Sequence, residues 1–302
     1  MKRLIYKTII LILVPVVFVS AFMLFSKDNY TIHSHEKNVL LSYNKMKALG
    51  DTTKMVIIAG SNGCFGINSH ILKDSFNLPV MNTATHAGMG SRLQFEIYRE
   101  LLHPGDVVIF CPEYYIDKSS FYGESTVLRI LSTFMPEAYL KMSWKQSAYL
   151  FKYIGIHFKE CLKDRNAKEF DGPYSLKALN EFGDIEYERK HLKIRDTYKF
   201  KGKMDEDALD YYKDIHAYCK EKGIKLVFLP PVLLKSNYMS QKSQIDSLSR
   251  QMDSNGIPYL VTPQTFVFPD SDFTDTAYHM TSEGANQRTL LLVKILKKYK
   301  VL

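Results

Sequence analysis

The sequence predicts an α/β domain built on a parallel sheet with helices on both faces, and three features predict it. Short apolar runs of strand length recur along the chain, amphipathic stretches of helical period lie between them, and Gly or Pro punctuates the junctions. Alternation of this kind needs right-handed crossovers, which return each strand parallel to the last and lay a helix on the sheet.

The first strand is Met55 to Ala59 (MVIIA), stopped at Gly60. Ile67, Ile71, Leu72 and Phe76 follow with helical spacing, and Pro79 to Asn82 (PVMN) forms a second short strand. Leu93, Ile97 and Leu101 mark an amphipathic helix that ends before His103, Pro104 and Gly105, and Val107 to Phe110 is the third strand. The pattern lapses between about 113 and 203. This stretch reads as a helical insertion rich in aromatics and lysine, such as Trp144, Lys145, Tyr149 and Lys152. A cap packed on the sheet is one reading of it, and a membrane or polymer-binding surface the other. Ala208, Tyr212, Ile215 and Cys219 then share a helical face closed by Gly223, and Leu226 to Leu229 is a strand stopped by Pro230 and Pro231. Ile245 and Leu248 indicate a further helix, and Pro258 to Val261 (PYLV) a fifth strand. Leu291, Leu292, Ile295 and Leu296 lie on a final helix with a lysine-rich end.

The N-terminus carries Lys2, Arg3 and Lys7, followed by a run from Thr8 to Phe25 without charge. About 18 to 20 apolar residues span a bilayer as a helix, and cations on the N-terminal side hold that end in the cytoplasm. Residues 1–27 are therefore expected to be a single-pass anchor, 28–53 a polar connector, and 54–302 an extracytoplasmic domain. A cleaved signal peptide competes with this reading, but the apolar run is long for one and no Ala-x-Ala site precedes Ser26. The chain holds 40 Lys plus Arg against 32 Asp plus Glu, and without residues 1–27 the balance is 36 against 32. So mild an excess, on a domain facing outward, argues against a nucleic-acid partner. The four cysteines form no Cys-x-x-Cys pair, so neither a metal knuckle nor a dense disulfide framework is expected.

Two segments carry candidate chemistry. Ser61 stands immediately after the first strand, in Gly60-Ser61-Asn62-Gly63. Ligands of open α/β sheets bind at the carboxyl ends of strands, so a hydroxyl there can project into a site while a helix N-terminus supplies amides. The alternative is a plain turn, for which Gly-Ser-Asn-Gly is well suited. A phosphate-binding loop is disfavoured, because no Gly-Lys-Ser/Thr follows Gly66. The second segment runs from Asp275 to His279, with a helix start in Thr281 or Ser282. A basic imidazole needs a partner on one nitrogen to free the other, and Asp275 can be that partner.

Together, Gly60-Ser61-Asn62 and the Asp275 to His279 stretch resemble the first and last blocks of the SGNH/GDSL hydrolase superfamily. The resemblance implies a three-layer, flavodoxin-like fold of about five strands. It also implies Ser61 as nucleophile, His279 as general base and then acid, and Asp275 as its orienting group. Asn82-Thr83-Ala84-Thr85-His86-Ala87-Gly88 is similar to the second block and maps the Gly88 amide onto an oxyanion donor. The third block departs: Cys111-Pro112-Glu113-Tyr114 places Glu113 where members present an Asn, and an ionised Glu113 cannot donate. The family's Asp-x-x-His is also stretched by one residue. What the resemblance implies is an esterase or O-acyltransferase, anchored in the membrane and acting on a cell-envelope glycan, with no cofactor and with a membrane acyltransferase as a possible partner. The alternative is a non-catalytic envelope protein of the same fold that binds or positions a polysaccharide or that acyltransferase.

Overall fold

A computed structural model describes residues 28–195 and 197–302, together with Tyr6, Lys7, Leu11, Leu13 and Val14. Among the described residues no helix is long and apolar enough to cross a membrane. The expected anchor lies almost entirely outside them.

After short helical turns at Asn29–Ile32 and His35–Lys37, α1 (Asn38–Leu49) leads into β1 (Met55–Ala59), the single turn α2 (Ser61–Cys64) and α3 (Ser69–Phe76). Next come β2 (Val80–Asn82), α4 (Ser91–Glu96) and β3 (Val107–Cys111). The segment after β3 holds α5 (Lys118–Tyr122), α6 (Ser125–Phe134), α7 (Trp144–Leu150) and α8 (Ile154–Lys163). The chain closes with α9 (Glu206–Glu221), β4 (Lys225–Phe228), β5 (Leu233–Leu234), α10 (Lys235–Ser254), β6 (Val267–Phe268) and α11 (Ser282–Lys298). The main sheet is parallel with order β2-β1-β3-β4, and β5 pairs with β6 in a separate two-stranded ribbon.

Every residue of β1 and β3 is buried, as expected for central parallel strands covered on both faces. Alternation along these strands divides the core in two. Val56, Ile58, Val108 and Phe110 face one layer with Leu93, Ile130 and Ile215. Met55, Ile57, Val107 and Ile109 face the other with Leu72, Leu292 and Leu296. The apolar stripes of α9 and α11 therefore lie on opposite sides of the sheet.

Three expectations are corrected. Pro258 to Val261 is no strand: Pro258 has no N–H to give, and only Leu260 N bonds the neighbouring β4, at Phe228 O (2.9 Å). The sheet thus has four strands. Residues 28–53, expected as a polar connector, form part of the packed domain. Asp28, Thr31, His35, Glu36 and Asn38 are buried, with Arg129 of α6 paired to Glu36. The insertion is helical only as far as Lys163. From there to Asp205 the described residues hold one 3-10 turn at Leu176–Ala178 and isolated bridges at Ser175, Leu179 and Ile185, and the segment meets the carboxyl end of β2 where Asn82 N donates to Phe182 O (2.9 Å).

At the opposite edge Lys54 Nζ meets Asp106 Oδ2 at 2.8 Å, with both side chains fully buried. Asp106 also accepts the amides of Lys54 (3.0 Å) and His103 (2.9 Å). Lys54 Nζ spends its remaining donors on the carbonyls of Gly50 and Thr52. The ends preceding β1 and β3 are locked together by one fully bonded ion pair.

Candidate active site

Register places the first two site residues side by side. Ala59 pairs with Cys111 across β1 and β3, and Ser61 and Glu113 each stand two residues further on. The Glu113 carboxylate lies over the turn: its Oε1 accepts the Asn62 amide at 2.9 Å, and a Cβ on Gly60 would lie 2.2 Å from its Oε2. Gly60 is needed for that close approach.

Asn62 is buried and ties the turn to the sheet. Its Nδ2 donates to Cys111 O (2.9 Å), and its Oδ1 accepts from Arg288 Nη2 (3.0 Å). The other arm of the Arg288 guanidinium bonds the carbonyls of Asn62 and Gly66. Arg288 sits on the apolar face of α11, 2 % exposed, and clamps the Ser61 turn from below.

The His279 loop is closed by an antiparallel bridge between Phe273 and Met280, with Thr274 N donating to His279 O (2.8 Å). Thr276 Oγ1 accepts the amides of Tyr278 and His279. This compact loop accommodates the longer spacing, and Asp275 Oδ1 reaches His279 Nδ1 at 3.1 Å. Tyr174, from the irregular segment, donates its hydroxyl to Asp275 Oδ2 (2.6 Å) and lies 3.0 Å from the same Nδ1. With the tyrosine proton committed to Asp275, both neighbours of Nδ1 are acceptors. Nδ1 therefore carries the ring proton, and Nε2, which has no protein partner among the described residues, keeps the basic lone pair. Burial pushes the Asp275 carboxyl up, but the hydrogen bonds of His279, Tyr174 and Thr274 outweigh it and hold the group well below the usual carboxylate range. Arg195, largely exposed, adds a contact to Oδ2 at 2.8 Å.

Phe65 connects the two halves. Its amide caps the Ser61 turn at Ser61 O (3.0 Å), and its ring stacks on His279 with centroids 4.2 Å apart and planes 12° from parallel. Arg189, also buried, reaches Phe65 O (3.3 Å) and Met280 O (3.0 Å), bracing the same junction. Ser61 opens on a cleft of about 240 Å³ shared with His86, Gly88, Glu113 and Tyr114. His279 is not among the residues lining it, and among the described residues no hydrogen bond joins Ser61 to His279.

The Gly88 amide donates to His86 Nδ1 at 2.9 Å, so this expected oxyanion donor is already engaged. Burial lowers the imidazole of His86 to about 4, which keeps that acceptor nitrogen free of a proton at neutral pH. A hydrogen bond to the amides of Ser61 or Ala87 is found nowhere among the described residues. Among those residues there is also no cluster of His, Cys, Asp or Glu able to hold a metal ion, and all four cysteines are free and buried.

Tyr174, Phe65, Arg288 and Ala87 were not singled out from the sequence. An arginine within the apolar stripe of the last helix was the one visible signal. Tyr174 has none, because its segment follows no period. No protein-family model matches the chain, and a search of curated proteins gives no match.

Proposed function

We propose that this chain is a serine-dependent esterase or O-acyltransferase of the SGNH/GDSL kind, acting on an extracytoplasmic cell-envelope glycan through an acyl-enzyme at Ser61. The observation that carries the reading is the imidazole of His279, held on one nitrogen by Asp275 and Tyr174, open on the other, and stacked through Phe65 on the turn that begins at Ser61. In this reaction Ser61 Oγ attacks the ester carbonyl and passes its proton to His279 Nε2. The bond from the carbonyl carbon to the donor oxygen breaks, and His279 returns the proton to that oxygen. Water or a sugar hydroxyl then takes the acyl group by the same steps in reverse. Such contacts are often long without substrate and tighten in the reacting complex. The amides of Ser61 and Ala87 are the donors left open for the oxyanion, one residue before the expected Gly88. The steps need no cofactor.

A fluorophosphonate probe should label the wild-type protein and fail on Ser61→Ala, and envelope acylation should fall in the Ser61→Ala strain. One observation favours the non-catalytic reading, in which the protein binds a polysaccharide or an acyltransferase: a carboxylate, not an amide, covers the Ser61 turn. Absent labelling beside a working serine esterase, with unchanged acylation in the Ser61→Ala strain, would favour that alternative.

We also propose that residues 1–27 anchor the chain, with the domain outside the cytoplasm. The support is the uncharged run behind Lys2, Arg3 and Lys7. Protease added to intact spheroplasts should digest the domain. Protection until lysis would reverse the orientation.

A further inference from the structure

The helices that follow β3 turn an apolar face outward. Leu140, Trp144, Phe151, Ile156 and Leu162 are each between 46 % and 90 % exposed. Single exposed apolar side chains are ordinary on a soluble surface, but five large ones along two short helices are not. The other sides of these helices are closed: Gln146 and Leu150 of α7 and His157 and Cys161 of α8 are buried. On the exposed side of α8, Ile156, Lys159, Leu162 and Lys163 recur about three to four residues apart, so apolar and cationic side chains share one face. Between Leu140 and Lys163 there are five lysines and one acid, Glu160. Trp, Phe and Leu beside Lys is the composition of a helix that rests in the headgroup layer of a bilayer.

The start of the domain holds this face near the expected anchor. Asp28 is fully buried; its amide donates to Thr133 Oγ1 (3.3 Å), and its carboxylate accepts the Tyr30 amide (2.9 Å). Asn29 Nδ2 donates to Arg165 O just beyond α8, and the Tyr30 ring stacks on Phe170 with centroids 5.1 Å apart. The uncharged run ends at Phe25, and the stretch from there to Asp28 reaches at most about 10 Å when fully extended. The polar layer of a bilayer is itself roughly 5–8 Å deep. With the anchor in the bilayer, the surface around Arg165 stands against the headgroups, and Leu162 is only one turn earlier in the chain.

We propose that the face running from Leu140 to Leu162 rests in the headgroup layer of the membrane that holds the anchor. Trp144, Phe151, Ile156 and Leu162 dip toward the acyl chains, and Lys159 and Lys163 meet anionic lipid phosphates. The proposal rests on the anchor reading above. Lipid is the occupant because so short a tether leaves the headgroups nearest, and because the cations of the face complement them. The docking also bears on the site. Glu124, in the lining of the Ser61 cleft, precedes Ser125, whose hydroxyl bonds Glu160 of α8 (3.3 Å). One wall of the cleft is thus braced by the helix that lies on lipid.

Trp144 is the only tryptophan of the chain, so its fluorescence reads this face alone. The test reconstitutes the full chain into vesicles of phosphatidylglycerol and phosphatidylcholine, with acyl chains brominated or unbrominated. Bromine quenches at contact, and a side chain sunk about 5–10 Å into the interface should lose roughly half its emission in the brominated vesicles. Ile156→Glu combined with Leu162→Glu, both at exposed positions, should restore most of it. Equal emission in the two kinds of vesicle, with the protein retained through an alkaline carbonate wash, would overturn the proposal and leave the face to a protein partner. Quenching untouched by the double substitution would overturn it as well. Release by the wash sinks the anchor reading alone, and quenching measured before the wash still decides the face.

Discussion

Replacing His279 by alanine is expected to lower kcat for ester cleavage by about 10²–10⁴-fold, the usual contribution of a positioned acid–base group, with little change in KM. Among the described residues the imidazole has no protein partner on Nε2, while its Nδ1 is fixed by a carboxylate. Asp275→Asn should be nearly as damaging. An asparagine can offer its NH2 to Nδ1, which favours the tautomer with the proton on Nε2 and leaves no base for the serine. Tyr174→Phe separates orientation from proton transfer. It removes the hydroxyl bonded to Asp275 Oδ2 and beside Nδ1, and should cost kcat about three- to tenfold, as for loss of one hydrogen bond. Steady-state kinetics on a small acyl ester measures all three. A His279→Ala protein with full activity would remove the histidine from the mechanism.

The largest expected effect on stability lies at the other end of the sheet. Asp106→Ala leaves the Lys54 ammonium buried without its counter-ion, and frees the amides of Lys54 and His103 at the same time. Breaking a buried pair from one side costs about 3–5 kcal/mol. Urea unfolding of the full chain should show the unfolding free energy falling by that amount, through a lower midpoint at unchanged slope. Lys54→Met combined with Asp106→Ala should recover part of the loss, since no charge is then stranded. A single substitution costing under about 1 kcal/mol would mean that water reaches the pair.

Strands β1 to β4 were legible because buried parallel strands are continuous apolar runs, and here each ends at a glycine, a proline or a polar turn. The same criterion misled at Pro258 to Val261, where the apolar run is real but lies between Pro258 and Pro263 and pairs through one amide. Ser61 and His279 are candidates by their places at element ends, and the contact of Asp275 with His279 follows from their nearness in sequence. The rest of the site comes from segments without period. Tyr174 is held by pairing of residues 33–35 with 174–176, seen in His35 N to Tyr174 O (2.9 Å) and Leu176 N to His33 O (2.8 Å). A contact of that range leaves no mark in either stretch alone. Gly88 shows a different limit: a loop position can be found by resemblance, but which amide stays free depends on where the His86 ring turns.

The central claim is that Ser61 becomes acylated, and peptide mapping by mass spectrometry tests it most directly. The full chain is incubated with an activated acyl donor, quenched in acid and digested. The account predicts the acyl mass on the peptide containing Ser61, its absence in Ser61→Ala, and its accumulation when the second half-reaction is slowed. No adduct under conditions that acylate a control serine esterase, or an adduct confined to another residue, would contradict it.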